Sequence, residues 1–352
     1  MKTQSVIDVI SQGKAPIKEI HPENHSKIKH SFLNDVGGRV ISVLVKPSDT
    51  ITADKERIAQ DNEYYDYINE DEFDIAFYYD FNSPPEVNAL YFKKKMKADV
   101  MFYELFPRPG EVDKLNRKGY EAIASDFTED KRITTRNFHE LSEKFFCEMF
   151  SEYVSTSSDV LEIGPGQGWL ERTVSPKCRT YVCIDIAEAM TKTIGNVANI
   201  TTSVRCMDVA SESFDVVVAS LADPYFYPEA ICEVNRILKN NGYFIFSLPA
   251  SEWATALRGE FDASNKTSFV LSAEGTVEVY SLIHPEDKLN WIMDVCEFEG
   301  VKLMTASGAE LSGKEISPAI TKAAQSIGKE VNDLAIVTMA VYRKKGDINE
   351  QT

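Results

Sequence analysis

Nothing in the 352 residues of this chain approaches the run of about 20 apolar residues that a membrane-spanning helix needs. The opening stretch Met1–Val6 has neither a long apolar centre nor a small-residue cleavage site, so secretion is not expected and a cytoplasmic setting is. Basic charge is also short: 38 Lys and Arg stand against 55 Asp and Glu, a net charge of −17. Such a surface repels phosphate backbones, so nucleic acid is not an expected partner, and neither is a membrane. The six cysteines are scattered through apolar surroundings, a pattern of reduced thiols and not of a disulfide framework or a zinc site. Histidine is scarce. Three of the five (His21, His25 and His30) lie together in a polar stretch, but no cysteine or carboxylate pattern completes a metal ligand set, so a solvated loop is expected there and no metal.

Against that background one stretch stands out. Asp159–Ile163 is a short apolar run broken by Glu162, and Gly164, Gly166 and Gly168 follow at alternate positions. An apolar run ending in glycines reads as a buried strand entering a tight turn. Glycine there serves positive φ or a close approach of backbone to ligand. The segment Trp169–Val174 then reads as a helix. Thr180–Asp185 follows as a second buried strand ending in a carboxylate. In open α/β folds an acid at that tip sits beside the glycine turn and accepts the hydroxyls of a ribose. The pattern by itself leaves the nucleotide open.

Upstream, residues 1–130 read as a smaller α/β domain. Strands are expected at 40–45, 73–80, 99–106 and 120–126, with helices from Thr52, over 82–96, and from Pro107 to Gly119. That alternation argues for parallel βαβ units. Asp80, Glu104 and Asp126 fall near three strand ends, where they either line a second ligand pocket or, the reading we favour, cap helices. Residues 131–157 form a connecting helix, with Phe138, Leu141, Phe145, Phe146, Met149 and Tyr153 on one apolar stripe.

Val160–Gly168 resembles the first motif of the class I S-adenosylmethionine-dependent methyltransferases. Further matches follow in order: Asp185 closing the second strand, Val204–Val209 as the third strand with its acid Asp208, Ser213–Ser220 as the fourth, and Glu233–Phe246 as a helix, turn and fifth strand. The resemblance covers about residues 158–345. It implies a Rossmann-like sheet over 158–352 and S-adenosyl-L-methionine as cofactor. A dinucleotide dehydrogenase would space its second and third glycines by three; the even spacing here does not fit one.

By the same resemblance Glu162 supports the methionine ammonium. Gly164, Gly166 and Gly168 admit the amino-acid part, and Asp185, with Ile186 beside it, binds the ribose. Asp208 and Val209 flank the adenine, and Ser220 closes the fourth strand. Asp223-Pro224-Tyr225-Phe226 partly resembles an amine-methylating signature, although its second proline is missing. Asp223 and Tyr225 are therefore the candidate catalytic residues, with His284 as a candidate base. A hairpin around Glu274-Gly275 is expected to cover the substrate. The expected reaction is methyl transfer to nitrogen or oxygen of a small molecule. The alternatives are a protein substrate, a non-catalytic cofactor-binding scaffold or sensor, and a bifunctional enzyme whose first half processes a nucleotide or sugar. In each, residues 1–130 could serve homo-oligomer assembly or docking of a partner.

Overall fold

The computed structural model describes residues 41–45, 75–79, 89–94 and 101–106, and then residues 109–346 apart from 129–130, 175–176, 193, 196, 206, 260–264 and 272–274. His21, His25, His30, Asp80 and the helix expected from Thr52 lie outside the described residues. By contacts the chain divides into 1–111 and 112–352, whereas the sequence pattern placed the division near Asp130.

In the first unit four strands form one sheet: β1 (Ile41–Val45), β2 (Ile75–Tyr79), β3 (Ala89–Lys94) and β4 (Met101–Phe106). Only β1 and β2 run parallel; β2, β3 and β4 pair antiparallel, from Ile75 opposite Lys93 to Lys94 opposite Met101. This corrects the all-parallel expectation. The helix expected over 82–96 is strand at 89–94, since Leu90, Tyr91 and Phe92 favour a pleated, paired backbone. Glu104 lies in β4, two residues before its C-terminal end, as expected.

Helix α1 (Pro109–Ile123) and a following 3-10 turn (Ala124–Asp126) occupy the stretch expected to be a fourth strand. Gly119, which looked like a helix terminator, sits inside the helix. A Cβ there would run into the Val279 side chain and come within 3.0 Å of the Glu278 carbonyl oxygen. The glycine serves a close approach between two elements and not a turn. Asp126 lies in the 3-10 turn with Lys131 2.6 Å away, so it stands at no strand end.

Helix α2 (Ile133–Tyr153) buries Phe138, Leu141, Phe145, Phe146, Met149 and Phe150, so the apolar stripe faces inward as its periodicity predicts. Each such side chain contributes about 1.5–3 kcal/mol when fully buried. Phe146 is 0% exposed, and truncating a phenylalanine in such a place costs about 3–5 kcal/mol.

The second unit is built on β5 (Asp159–Ile163), α3 (Trp169–Val174), β6 (Thr180–Asp185), α4 (Glu188–Thr191), β7 (Ala198–Thr201), β8 (Phe214–Ser220), α5 (Pro228–Ile237), β9 (Leu238–Pro249) and α6 (Ser251–Arg258). The hairpin β10 (Lys266–Val270) and β11 (Thr276–Tyr280) comes next, then α7 (Glu286–Val295), β12 (Phe298–Ser307), α8 (Pro318–Ser326) and β13 (Ala335–Lys344).

Seven of these strands form one sheet in the order β12-β13-β9-β8-β5-β6-β7. The neighbours from β9 through β7 are parallel, and β13 runs antiparallel to both β9 and β12. β5 lies inside the sheet between β8 and β6 with all five residues buried, as a strand covered on both faces must be. The order reverses at β5, with β6 on one side and β8 on the other, and ligands of open α/β sheets bind beyond the strand tips at such a reversal.

The third strand is also shifted. It was expected over Val204–Val209, but β7 pairs with β6 through Ala198–Thr201. Val204 and Met207 are buried through packing in a loop. Glu233 accepts from the Met207 amide at 2.8 Å, and Arg236 donates to the Met207 carbonyl at 3.2 Å. Two side chains of α5 therefore satisfy backbone groups that a strand would have paired. Among the described residues no helix is long and apolar enough to cross a membrane.

Candidate active site

A cleft of about 310 Å³ opens beyond the C-terminal ends of β5, β6 and β8. Its base is the glycine turn. Gly164, Gly166 and Gly168 have φ of +61°, +55° and +76°. All three lie in the left-handed region, which costs other residues roughly 1–2 kcal/mol. The turn is tied to β6 by the Gly164 amide, which donates to the Ile184 carbonyl at 2.8 Å. Space does not constrain Gly164, because an added Cβ would meet nothing nearer than the Ala222 Cβ at 3.5 Å. Its constraint is conformational.

Two buried carboxyls line the cleft. Glu162, at 1% exposure, accepts from the Tyr181 hydroxyl at 2.7 Å, and burial pushes its pKa up to about 7. Asp185 ends β6, accepts from the Ala187 amide at 2.9 Å and is likewise pushed up to about 7 by burial. Removing an ionised carboxyl from water favours its neutral form unless a cation or donors compensate. Ser220 ends β8, lines the cleft, and its hydroxyl is buried without a hydrogen-bond partner. A buried hydroxyl with no partner among the described residues, in one cleft with two carboxyls raised by burial, is a site short of a polar, cationic ligand.

The remaining expected residues are placed unevenly. Ile186 is fully buried behind Asp185 and does not line the cleft. Asp208 is exposed and Val209 half-buried, and neither lines the cleft. Their loop is held against α5 by Glu233 and Arg236, while the tip of β7 carries Thr201 and Thr202 instead; the Thr202 amide donates to the Asp185 carbonyl at 2.9 Å.

Tyr225 lines the cleft, and burial raises its phenol well above the ordinary range. Asp223 does not. Burial pushes its carboxyl up to about 6 while the Ser281 side chain bonds to it, and its carbonyl accepts from the Leu282 amide at 3.2 Å. His284 borders a separate hollow with Leu248, Glu252 and Thr305. Its Nε2 donates to the Phe226 carbonyl at 2.7 Å, and burial lowers its pKa to about 3. The structure thus brings Tyr225 to the cleft, whereas Asp223 and His284 join the loop after β8 to residues 281–284.

The cleft also holds residues that the sequence pattern did not single out. Tyr120 comes from α1 and Phe127 from just after the turn that follows it, Arg132 from the residue before α2, and Thr135 and His139 from the first turns of α2. The His139 ring stacks on Trp169 with centroids 4.1 Å apart and planes at 8°. Arg132, Thr135 and His139 are spaced by three and four, so one helix face could have been read from the sequence. Nothing local marks Tyr120, which reaches the cleft only through the fold.

Residues 161–246 match the family model described as a methyltransferase domain. The chain carries a class I S-adenosylmethionine-dependent methyltransferase domain. It is an S-adenosylmethionine-dependent methyltransferase, and S-adenosyl-L-methionine is its cofactor.

Among solved structures the methyltransferase chain is similar to S-adenosylmethionine-dependent methyltransferases from three organisms. The Methanosarcina mazei protein is 16% identical, with 56% of this chain and 97% of that one covered at a TM-score of 0.42. The Thermotoga maritima protein is 19% identical, with 64% and 98% covered at 0.43. The Mesorhizobium loti protein is 12% identical, with 58% and 98% covered at 0.42. The search of curated proteins returned no match.

The residues present fit the donor: two buried carboxyls, a buried serine hydroxyl and the glycine turn line one cleft, where they would hold a cationic, hydroxyl-bearing ligand.

Proposed function

We propose that the enzyme methylates a nitrogen or oxygen atom of a small molecule. One observation carries this reading: Glu162, Gly164, Gly166, Asp185, Ser220 and Tyr225 line a single cleft of about 310 Å³ whose other walls include Tyr120, Phe127 and Trp169. A cleft of that size, lined largely by aromatic and apolar side chains, matches the small-molecule class.

When bound, the donor supplies a methyl group on a positively charged sulfur, to which the bonding electrons return as the acceptor's lone pair takes the carbon. The protein's work is then alignment and charge. Glu162 and Asp185 ionise against the cationic ligand and hold it. The glycine turn and Ser220 fix its amino-acid end. Tyr225, from the loop after β8, packs against the transfer point and orients the acceptor. Asp223 and His284 act as positioning residues, because their bonds to Ser281 and to the Phe226 carbonyl hold that loop in place. The first half of the chain, outside the methyltransferase match, serves assembly or docking in this reading.

Calorimetry with S-adenosylmethionine, followed by transfer of labelled methyl to metabolite and protein pools, tests the proposal. Label in small molecules, together with loss of donor binding in Asp185→Ala, is the expected result. Label confined to protein, or donor binding with no transfer at all, would overturn it.

A further inference from the structure

The cleft holds two guanidinium groups, Arg132 and Arg172, and the donor has one carboxylate to offer. Arg172 belongs to α3, directly after the glycine turn, and donates to the Gln167 carbonyl within that turn. It therefore stands beside the donor's amino-acid end. Arg132 is held quite differently. It precedes α2, donates through Nη2 to the Val270 carbonyl at 3.0 Å, and lies 5.3 Å from the centre of the Phe269 ring. Both partners belong to the hairpin strand β10. Phe269 in turn packs on Tyr120 and Phe127, with ring centroids 6.5 and 6.0 Å apart, and those two rings line the cleft.

Arg132 is thus fixed at the junction of α2 and the hairpin. Burial lowers its pKa while the nearby Asp126 acts the other way, and among the described residues its Nε–H is buried without a hydrogen-bond partner. The hydroxyl-bearing residues Thr128 and Thr135 line the same wall. A half-buried guanidinium with a spare N–H, in a wall that also carries two threonines, is suited to an oxyanion.

We infer that the methyl acceptor carries an anionic group, a carboxylate or a phosphate, anchored by Arg132 on the wall formed by the start of α2 and the hairpin. This deepens the small-molecule reading and rests on it. Arg132 is a specificity-determining residue that orients the acceptor so that its nucleophile meets the methyl group, and Arg172 stays with the donor.

The test uses the full chain with labelled S-adenosylmethionine and fractions of a metabolite extract, with each labelled product identified by mass spectrometry. The product should carry a carboxylate or a phosphate, and phosphatase treatment distinguishes the two. Arg132→Met should lower kcat/KM for the labelled acceptor at least about tenfold, while the calorimetric Kd for the donor stays within about twofold of the parent value. Arg132→Lys, which keeps the charge without the planar fork, should fall between the two.

Label confined to products with neither a carboxylate nor a phosphate would overturn the inference and leave methyl transfer to small molecules standing. An Arg132→Met protein that loses donor affinity as steeply as it loses turnover would also overturn it, by assigning Arg132 to the donor's own carboxylate. Failure of the parent protein to methylate any fraction despite binding the donor would overturn both readings.

Discussion

The Tyr181 hydroxyl donates to the Glu162 carboxylate at 2.7 Å across the β5–β6 pair, so this acid in the wall of the cleft is oriented by the neighbouring strand. That hydrogen bond favours ionised Glu162, while burial opposes it. Tyr181→Phe should raise the Glu162 pKa further and weaken donor binding near neutral pH by about 0.5–1.5 kcal/mol, the net worth of one hydrogen bond. Calorimetry at pH 7 and pH 9 checks this. The deficit should shrink at the higher pH, where Glu162 ionises in both proteins.

Glu162 and Asp185 both stand near pKa 7 in the folded chain, raised by burial from ordinary carboxyl values. Two consequences follow from the sign. A cationic donor prefers the ionised forms, so its affinity should rise with pH through about 7, with protons released on binding at pH 6–7. Without donor, each carboxyl binds its proton more tightly folded than unfolded. Stability is then full below the unfolded pKa near 4 and declines as pH rises through 7, by on the order of 3 kcal/mol per carboxyl. Melting curves from pH 5 to pH 8, with and without S-adenosylmethionine, should show the decline and its reversal by the donor. A flat profile would contradict the placement of these two side chains.

Gly119 and Gly164 should respond differently to alanine. At Gly164, where φ is +61° and the nearest foreign atom is 3.5 Å from an added Cβ, the cost is that of a left-handed alanine, about 1–2 kcal/mol, and donor affinity should fall with it. At Gly119 alanine would favour the helix by about 1 kcal/mol on propensity alone. Its Cβ would instead push β11 away at Val279 and Glu278. Gly119→Ala should therefore leave donor affinity nearly unchanged and lower methyl transfer. Hydrogen exchange at the Tyr280 amide, which donates to Asn116 at 2.6 Å, reports the displaced hairpin directly.

His284 and Tyr225 separate support from contact. His284→Gln should keep donor affinity and turnover within about twofold, since glutamine can still donate to the Phe226 carbonyl. His284→Ala should cost about 1–3 kcal/mol in stability by leaving that carbonyl unpaired. Tyr225→Ala should lower turnover while the protein remains folded. A turnover profile governed by a group titrating near pH 6.5 and lost in His284→Gln would restore the histidine as a base.

The local parts of the site were legible because each depends on short stretches of chain. Alternating glycines after a buried run, an acid at the next strand tip and the apolar stripe from Phe138 to Met149 are consequences of backbone sterics and periodicity. The hairpin at Gly275 was legible for the same reason, whereas the turn expected before the fifth strand is absorbed into β9, where Asn241 takes a φ of +62° that an asparagine tolerates. Reading failed where burial and pairing outweighed local preference. Leu90–Phe92 became strand through pairing on both sides, and Gly119 stayed helical because a neighbouring strand needed the space.

By itself, then, the sequence determined the glycine turn, its two acids and hence the methyl donor, since those features are written within about 30 consecutive residues. Only the tertiary structure decided which side chains complete the wall of the cleft. Phe269 lies more than a hundred residues from Tyr120 and Arg132, which line the cleft, and reaches both because the hairpin packs on α1 and the start of α2. It also decided that Asp208 lies at the surface and that His284 braces a loop, since a side chain's role is set by what burial and long-range hydrogen bonds leave exposed to the ligand.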